Sequence, residues 1–452
     1  MPKLSQSTDL TVGSIPGHLL QMTGPIILSH ILQDAFNIVD MICVGRLGAD
    51  ALAAVTISGN LLRLITIFAL GISTGTVILL SQSIGAKKKI QAQSLAVQAL
   101  FLSIAFSLLV AVFGYFFAEF GLRFLGADPA VIQLGTAYMR VILLGSITHF
   151  SSMTLSAIYR STGDTITPMQ VLILSTVLNI GLDLVLIFGL MGFPELGVIG
   201  SAYATVIGRG VGVLILLFLC LSGRKGLLIR YHRPNFNQMW QIIQLGIFSA
   251  MQGFWRHISR IGFIWFVAKH GTFAIAAYGV CMRLRVFVMN PGFALAGAVA
   301  PIVGQNIGAK SIDRAKSAVS FGTKLAVIMM ATIGLVLFLI PDLAISLFSK
   351  NPKVIGIGCI FLRYLTPSFG FIALSLVLGR SLNGTGDTFW PMALTFISQG
   401  GLLALFVIIS FFWNQVDLMV IWIGISVSNL FQGGMMWLAY HWRMAKIEQK
   451  TI

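Results

Sequence analysis

The sequence predicts an all-α integral membrane protein of twelve transmembrane helices, built as two six-helix lobes that repeat one another in parallel. Two observations carry that expectation. The 452 residues are 57% hydrophobic and only 10% charged, with a mean hydropathy of +0.91, where soluble domains carry roughly 25% charged residues. The chain also repeats itself at a constant offset. LLSQSIGAK (79–87) answers IVGQNIGAK (302–310), TGDTITPM (162–169) answers TGDTFWPM (385–392), and LGADALAA (47–54) answers HGTFAIAA (270–277). Independent matches at one offset indicate duplication.

An apolar stretch of about 20 residues crosses a bilayer. The spans are expected at 17–44, 51–81, 93–121, 130–155, 168–190 and 197–222, then at 239–268, 274–304, 316–340, 353–378, 391–413 and 416–440. Six spans per half is an even number, so both halves insert with the same orientation, and a substrate cavity is expected between them. The basic stretch GRKGLLIRYHRPNFNQ (223–238) reads as the linker, dividing an N-terminal lobe (1–225) from a C-terminal lobe (226–452). TGDT-x-x-P reads as a turn with a Thr or Asp cap and a Pro in the first helical turn.

The net charge of +16 is distributed by topology rather than gathered on a nucleic-acid surface. Lys3, Lys87, Lys88, Lys89, Arg160, Arg224, Lys225, Arg230, Arg233, Lys310, Arg314, Lys316, Arg380, Arg443, Lys446 and Lys450 fall on one side. Only Arg46, Arg123, Lys269, Lys350 and Lys353 fall on the other. This positive-inside bias puts both termini in the cytoplasm and favours contact with anionic lipid. Residues 1–15 are polar and run into a long span without a small-residue cleavage site, so no removable leader is expected. Cys43, Cys220, Cys281 and Cys359 are dispersed, with neither disulfide nor zinc spacing. Without a G-x-x-x-x-G-K-[ST] loop, ATP is not expected as the energy source within this chain.

Of fourteen acids, only Asp34, Asp40 and Asp183 lie well inside expected spans, all in the first half. The repeat partner of Asp40 is Phe263 and that of Asp183 is Phe406, so duplication kept the scaffold but not the charge. On the first span Gln33, Asn37 and Asp40 share a face, extended by Thr23 and His30; Asp34 lies about 100° round, within reach of His30. On the fifth, Ser175, Asn179 and Asp183 align, and on the sixth Ser201, Thr205 and Arg209. Asp40, Asp183 and Thr205 sit at similar depth, roughly 9–12 Å from the outer ends of their spans. Two carboxylates, an amide and a hydroxyl suit a small hard cation or a shared proton. An intramembrane acid is costly enough to be a functional-site hypothesis by default. Asp34 reads either as coupled to this site or as neutralised by His30, Arg209 as a counter-ion or a snorkelling side chain. Pro25, after Gly24, removes a helical hydrogen bond and supplies a hinge or a static kink. Arg256, His257, Arg260, Arg283 and Arg285 make the second half basic without declaring a role.

Twelve spans in two lobes, the acid in NIVDMICVGRLGADALAAV and the paired GQNIGAK and GTGDT-x-x-PM loops resemble the MATE (multidrug and toxic compound extrusion) transporters across essentially the whole chain. That resemblance implies export of organic, often cationic, compounds such as drugs and dyes against inward H⁺ or Na⁺. It further implies a prokaryotic inner-membrane location, no cofactor beyond the coupling ion, and a monomer as functional unit. The first-helix Asp and the N-x-x-x-D pair match Asp40 and NIGLD (Asn179–Asp183), and GSAYAT gives Thr205. On this resemblance a sodium ion would sit at Asp40, Asn179, Asp183 and Thr205. Pro25 matches the bend proposed in the DinF-like branch. Where the other branch has second-lobe acids, this chain has GFWRHIS and ALSLVLGRS, with Arg256 near an expected Glu. The resemblance therefore implies the DinF-like branch and no second-lobe carboxylate site.

A lipid-linked precursor flippase of the same superfamily is the alternative within transport, although its first lobe would be cationic where this one is acidic. A membrane enzyme would need a reactive constellation, and the seven His are scattered without an H-E-x-x-H. A channel would conduct without counter-transport, and polar stripes in one lobe argue against a symmetric pore. Antiport is the expectation.

Overall fold

A computed structural model describes residues 9–223, 228–412 and 416–451. Lys3, Arg224, Lys225 and the expected lobe boundary at 225/226 lie outside the described residues, as does the side chain of Lys450. The described chain is helical, with no strand. Ten of its helical segments are long and apolar enough to cross a membrane, eleven if one bent pair counts as a span.

The first half holds α1 (Ile15–Gly45), α2 (Ala49–Gly85), α3 (Lys89–Phe124), α4 (Pro129–Leu144), α5 (Ser146–Ser161), α6 (Ile166–Phe188) and α7 (Val198–Leu221). The span expected at 130–155 is α4 and α5 together, bent by 48°. Gly145 stands at the break, where a Cβ would lie 2.3 Å from Val206 of α7, so close packing fixes the corner. The Ser146 hydroxyl anchors it by donating to the Ser107 carbonyl at 3.0 Å.

The second half holds α8 (Phe236–Ala268), α9 (Thr272–Gly308), α10 (Ile312–Leu339) and the short α11 (Pro341–Ser346). It continues with α12 (Pro352–Leu365), α13 (Phe369–Thr385), α14 (Phe389–Thr395), α15 (Gly401–Phe412) and α16 (Leu418–Thr451). A 3₁₀ turn at Thr366–Ser368 joins α12 to α13, and a π-helical turn at Phe396–Gly400 joins α14 to α15. With 33 residues α8 has the length of a span, but Gln252, Arg256, His257 and Arg260 interrupt its apolar stretch.

The duplication is visible in backbone detail. Helices α2 and α9 have the same length, 37 residues. Non-glycine residues with positive φ recur in the paired loops, Lys87 at 59° and Lys310 at 60°. Gly163 and Gly386 do so in the TGDT turns, at 83° and 96°. In the first of these turns Asp164 caps α6 by accepting from the Ile166 and Thr167 amides at 3.0 and 2.9 Å.

Two compact units emerge. One contains Gly24–Ile247, so it keeps the start of α8: Gln98 of α3 donates to the Arg233 carbonyl and accepts from the Asn235 amide, both at 3.0 Å. The other contains Phe248 onward together with Gly13–Thr23. There Arg314 donates to the Gly13 carbonyl at 2.8 Å. Helix α1 therefore changes unit between Thr23 and Gly24, one residue before Pro25, and continues through that proline as a single helix.

Candidate functional site

The site forms where α6 and α7 approach most closely. A Cβ on Gly200 would lie 2.5 Å from the Leu186 carbonyl, and one on Gly208 3.1 Å from Asn179. Without side chains there, the backbones come together, as small residues permit in membrane interfaces. The contact turns the Ser175/Asn179/Asp183 stripe of α6 towards the Ser201/Thr205/Arg209 stripe of α7.

Asp183 is fully buried, and neither carboxylate oxygen has a hydrogen-bond partner among the described residues. One turn away, Asn179 is also buried. Its amide donates to the Thr205 hydroxyl at 3.5 Å, while its carbonyl oxygen has no donor. Three buried acceptor oxygens thus lie within one helical turn of α6 without a donor. Asp40 of α1 is partly buried and accepts from the Ser201 hydroxyl at 2.6 Å, within electrostatic range of Arg209 and Asp183. A cavity beside them is lined by Gln33, Phe36, Ser175, Asn179, Thr205 and Arg209, with about 30 Å³ open to the centre of a water molecule. That is room for one or two waters or a small ion.

The other expected residues fall elsewhere. Asn37 is exposed and makes no hydrogen bond to this cluster. Asp34 is exposed and interacts electrostatically with His30, which also senses Arg160. Two contributors carried only a weak signal in the sequence. Ser201 belongs to the α7 stripe, but spacing alone does not say which helix it meets. Tyr138 of α4 is buried within electrostatic range of Asp40, Asp183 and Arg209, and no pattern marked it.

The second half shows what the scaffold does without the acids. Phe263 and Phe406, the repeat partners of Asp40 and Asp183, have ring centroids 6.0 Å apart at 80°. Gly424, the counterpart of Ser201, leaves space for that plug: a Cβ there would lie 2.6 Å from the Phe406 ring. One duplicated pocket is filled by aromatic rings and the other by oxygens.

Among the described residues no three His, Cys, Asp or Glu side chains are placed to hold a metal ion. The orphan acceptors of Asp183 and Asn179 do fit a proton or a hard monovalent cation, which needs oxygens of any origin. Acids buried between the helices of a duplicated membrane bundle mark the class of multi-pass membrane transporters.

Comparison with known proteins gives the family. The MatE family model matches the chain twice, at residues 25–185 and 250–409, once per half. The chain is 30% identical to the probable multidrug resistance protein YoeA of Bacillus subtilis over 407 residues, 88% of each chain. It is 28% identical to the probable multidrug resistance protein NorM of Thermotoga maritima, covering 93% of this chain and 91% of the relative. A MATE structure in the bent conformation superposes with a TM-score of 0.91 at 22% identity, covering 99% and 100% of the two chains. The chain belongs to the MatE family; it is a multi-pass membrane transporter and not an enzyme.

Proposed function

We propose that this protein is a secondary multidrug exporter, expelling organic compounds, often cationic, in exchange for H⁺ or Na⁺ that binds at Asp40, Asn179, Asp183 and Thr205. The observation that carries the reading is the trio of buried, donorless oxygens on Asp183 and Asn179 beside the Ser201-held Asp40. A pocket arranged this way lacks one positive charge, and a coupling cation supplies it. The names of the relatives point to drugs rather than lipid-linked precursors as cargo.

In this reading the first lobe (1–225) carries coupling and the second (226–452) completes the substrate path. Cation entry neutralises the pair of carboxylates, which titrate as one coupled group. The change passes along α1, whose unit boundary lies beside Pro25. Asn37 extends the polar path on that helix and Asp34 tunes it through His30. The positive-inside bias supports an inner-membrane protein with cytoplasmic termini; the working unit in this reading is the monomer.

The test uses proteoliposomes loaded with a pH-sensitive dye and given ethidium with or without Na⁺. Substrate-driven proton movement without Na⁺ identifies proton antiport, and Na⁺-dependent flux with no proton signal identifies sodium antiport. Both signals are expected to vanish in Asp40→Asn and Asp183→Asn proteins inserted at normal levels. Wild-type export by those variants sinks the proposal.

A further inference from the structure

We propose that the second lobe recognises an anionic group, phosphate or carboxylate, on an amphiphilic organic substrate through Arg256, Arg285 and Arg380. The proposal rests on the transport reading and adds a substrate class to it.

The duplication gives the first argument. Gln33, Asp34 and Asn37, on the polar stretch of α1, correspond at the repeat offset to Arg256, His257 and Arg260 on α8. A neutral-to-acidic stripe in one half has thus become basic in the other. The helices carrying the arginines, α8, α9 and α13, contain no Asp or Glu. Of the second-half acids, Asp387 is taken by Arg443 and Glu448 by Lys316.

Contacts within the lobe gather the guanidinium groups. Asn383 of α13 donates to Ser249 of α8 at 3.3 Å, tying together the helices that carry Arg380 and Arg256. Both Arg380 and Arg285 lie within electrostatic range of Arg256. Arg285 reaches Asn429 at 3.4 Å through Nη2, and its buried Nε has no acceptor. Arg256 forms no salt bridge among the described residues. All three side chains are half-buried, hence partly desolvated yet reachable. Guanidinium stays charged in proteins and matches carboxylate or phosphate with two parallel hydrogen bonds. Like charges gathered in low dielectric repel, and an anion among them reverses the sign of the interaction.

One residue before Arg256 on α8, and about 100° round the helix, an aromatic pair offers a surface for the rest of the ligand. Trp255 packs on Phe396 with ring centroids 4.5 Å apart, and Phe396 begins the π-helical turn. Such turns occur frequently at functional sites. A charged head on the arginines with a planar body near Trp255 is the chemistry of an aromatic phosphate or carboxylate.

The experiment measures binding of two probes that share one ring system, riboflavin 5′-phosphate and riboflavin, by flavin fluorescence in zwitterionic lipid nanodiscs. The phosphate is expected to bind at least about tenfold more tightly, the scale of one charge-assisted pair. In Arg256→Gln/Arg285→Gln that ratio is expected to fall to about one, while riboflavin and ethidium binding stay unchanged. Arg256→Lys, keeping charge without the bidentate fork, retains part of the preference and guards against misfolding of the double variant. Adding anionic phosphatidylglycerol separates the sources. Competition in the wild type alone assigns the site to a lipid headgroup, and its absence assigns it to a free substrate. Equal binding of both flavins by the wild type, or a ratio the variants leave intact, overturns the proposal. Asp40→Asn is expected to abolish ethidium transport without altering the flavin ratio, so failure of the coupling mechanism and failure of the anion site are separately visible.

Discussion

Asp183→Asn puts the proposed cation site to its most direct test, because here stability and coupling are expected to move in opposite directions. Both Asp183 oxygens are buried without donors. An unsatisfied buried polar group costs about 1–3 kcal/mol, more if charged. Replacing the carboxylate by an amide removes the charge and offers a donor to the orphan Asn179 oxygen one turn away. In cation-free buffer the variant is therefore expected to be more stable than wild type by about 1–3 kcal/mol. Cation binding restores the wild type, because a ligand at about 100 times its dissociation constant stabilises by ~2.7 kcal/mol. The assay is thermal unfolding of purified protein, followed by tryptophan fluorescence, with Na⁺ against choline and across a pH series. The wild-type midpoint should rise on addition of the coupling cation, and the variant's should start higher and stay flat. A variant less stable than wild type in choline, with an undiminished cation response, would refute the reasoning.

Two further outcomes are expected from packing and pairing. Gly200→Ala pushes a Cβ to 2.5 Å from the Leu186 carbonyl and should cost about 1–3 kcal/mol by overpacking. On the neighbouring helix α6, Gly181→Ala meets nothing within 4 Å and should be neutral or stabilising by up to ~1 kcal/mol; paired thermal midpoints check the contrast. Asp387→Asn strips Arg443 of a partner whose side chain is only 7% exposed, at an expected ~3 kcal/mol or more. Glu119→Gln, in the Arg123 pair exposed at 42% and 67%, should change the midpoint by less than ~1 kcal/mol.

Much of this architecture could be read from residue order. The offset that pairs Gln82 with Gln305 also pairs Lys87 with Lys310, and both lysines adopt the same left-handed conformation. Asp40 and Asp183 stood out because charge inside a span is expensive, and the period of a helix placed Asn179 and Thr205 beside them. Periodicity names a face, however, and not the helix it meets. The Asp40–Ser201 bond and the approach of Tyr138 depend on helix packing that no single span encodes. Asn37 shares the α1 face with Asp40 yet lies exposed, since one helical face is wider than one binding site. The bend at Gly145 and the π turn at Phe396–Gly400 depend on tertiary contacts, with Val206 in the first case and Trp255 in the second.

The two halves also explain why the proposed cation site falls in one half of a duplicated scaffold. Where the first half has Asp40, Asp183 and Ser201, the second has Phe263, Phe406 and Gly424, and the aromatic rings occupy the volume that oxygens line in the first. Returning the acids alone to positions 263 and 406 would not rebuild the pocket. Gly424 offers no hydroxyl to hold the first carboxylate, and Leu402 replaces the amide of Asn179. A carboxylate there would be buried against Phe266 and Leu402 with no donor and no cation ligands, the costliest of arrangements. The plug thus leaves no room for carboxylates in that half, whose polar side chains on α8 lie instead at Arg256 and Arg260. Divergence after duplication has left acids on the polar stripes of one half and arginines on those of the other, on helices that still correspond in sequence.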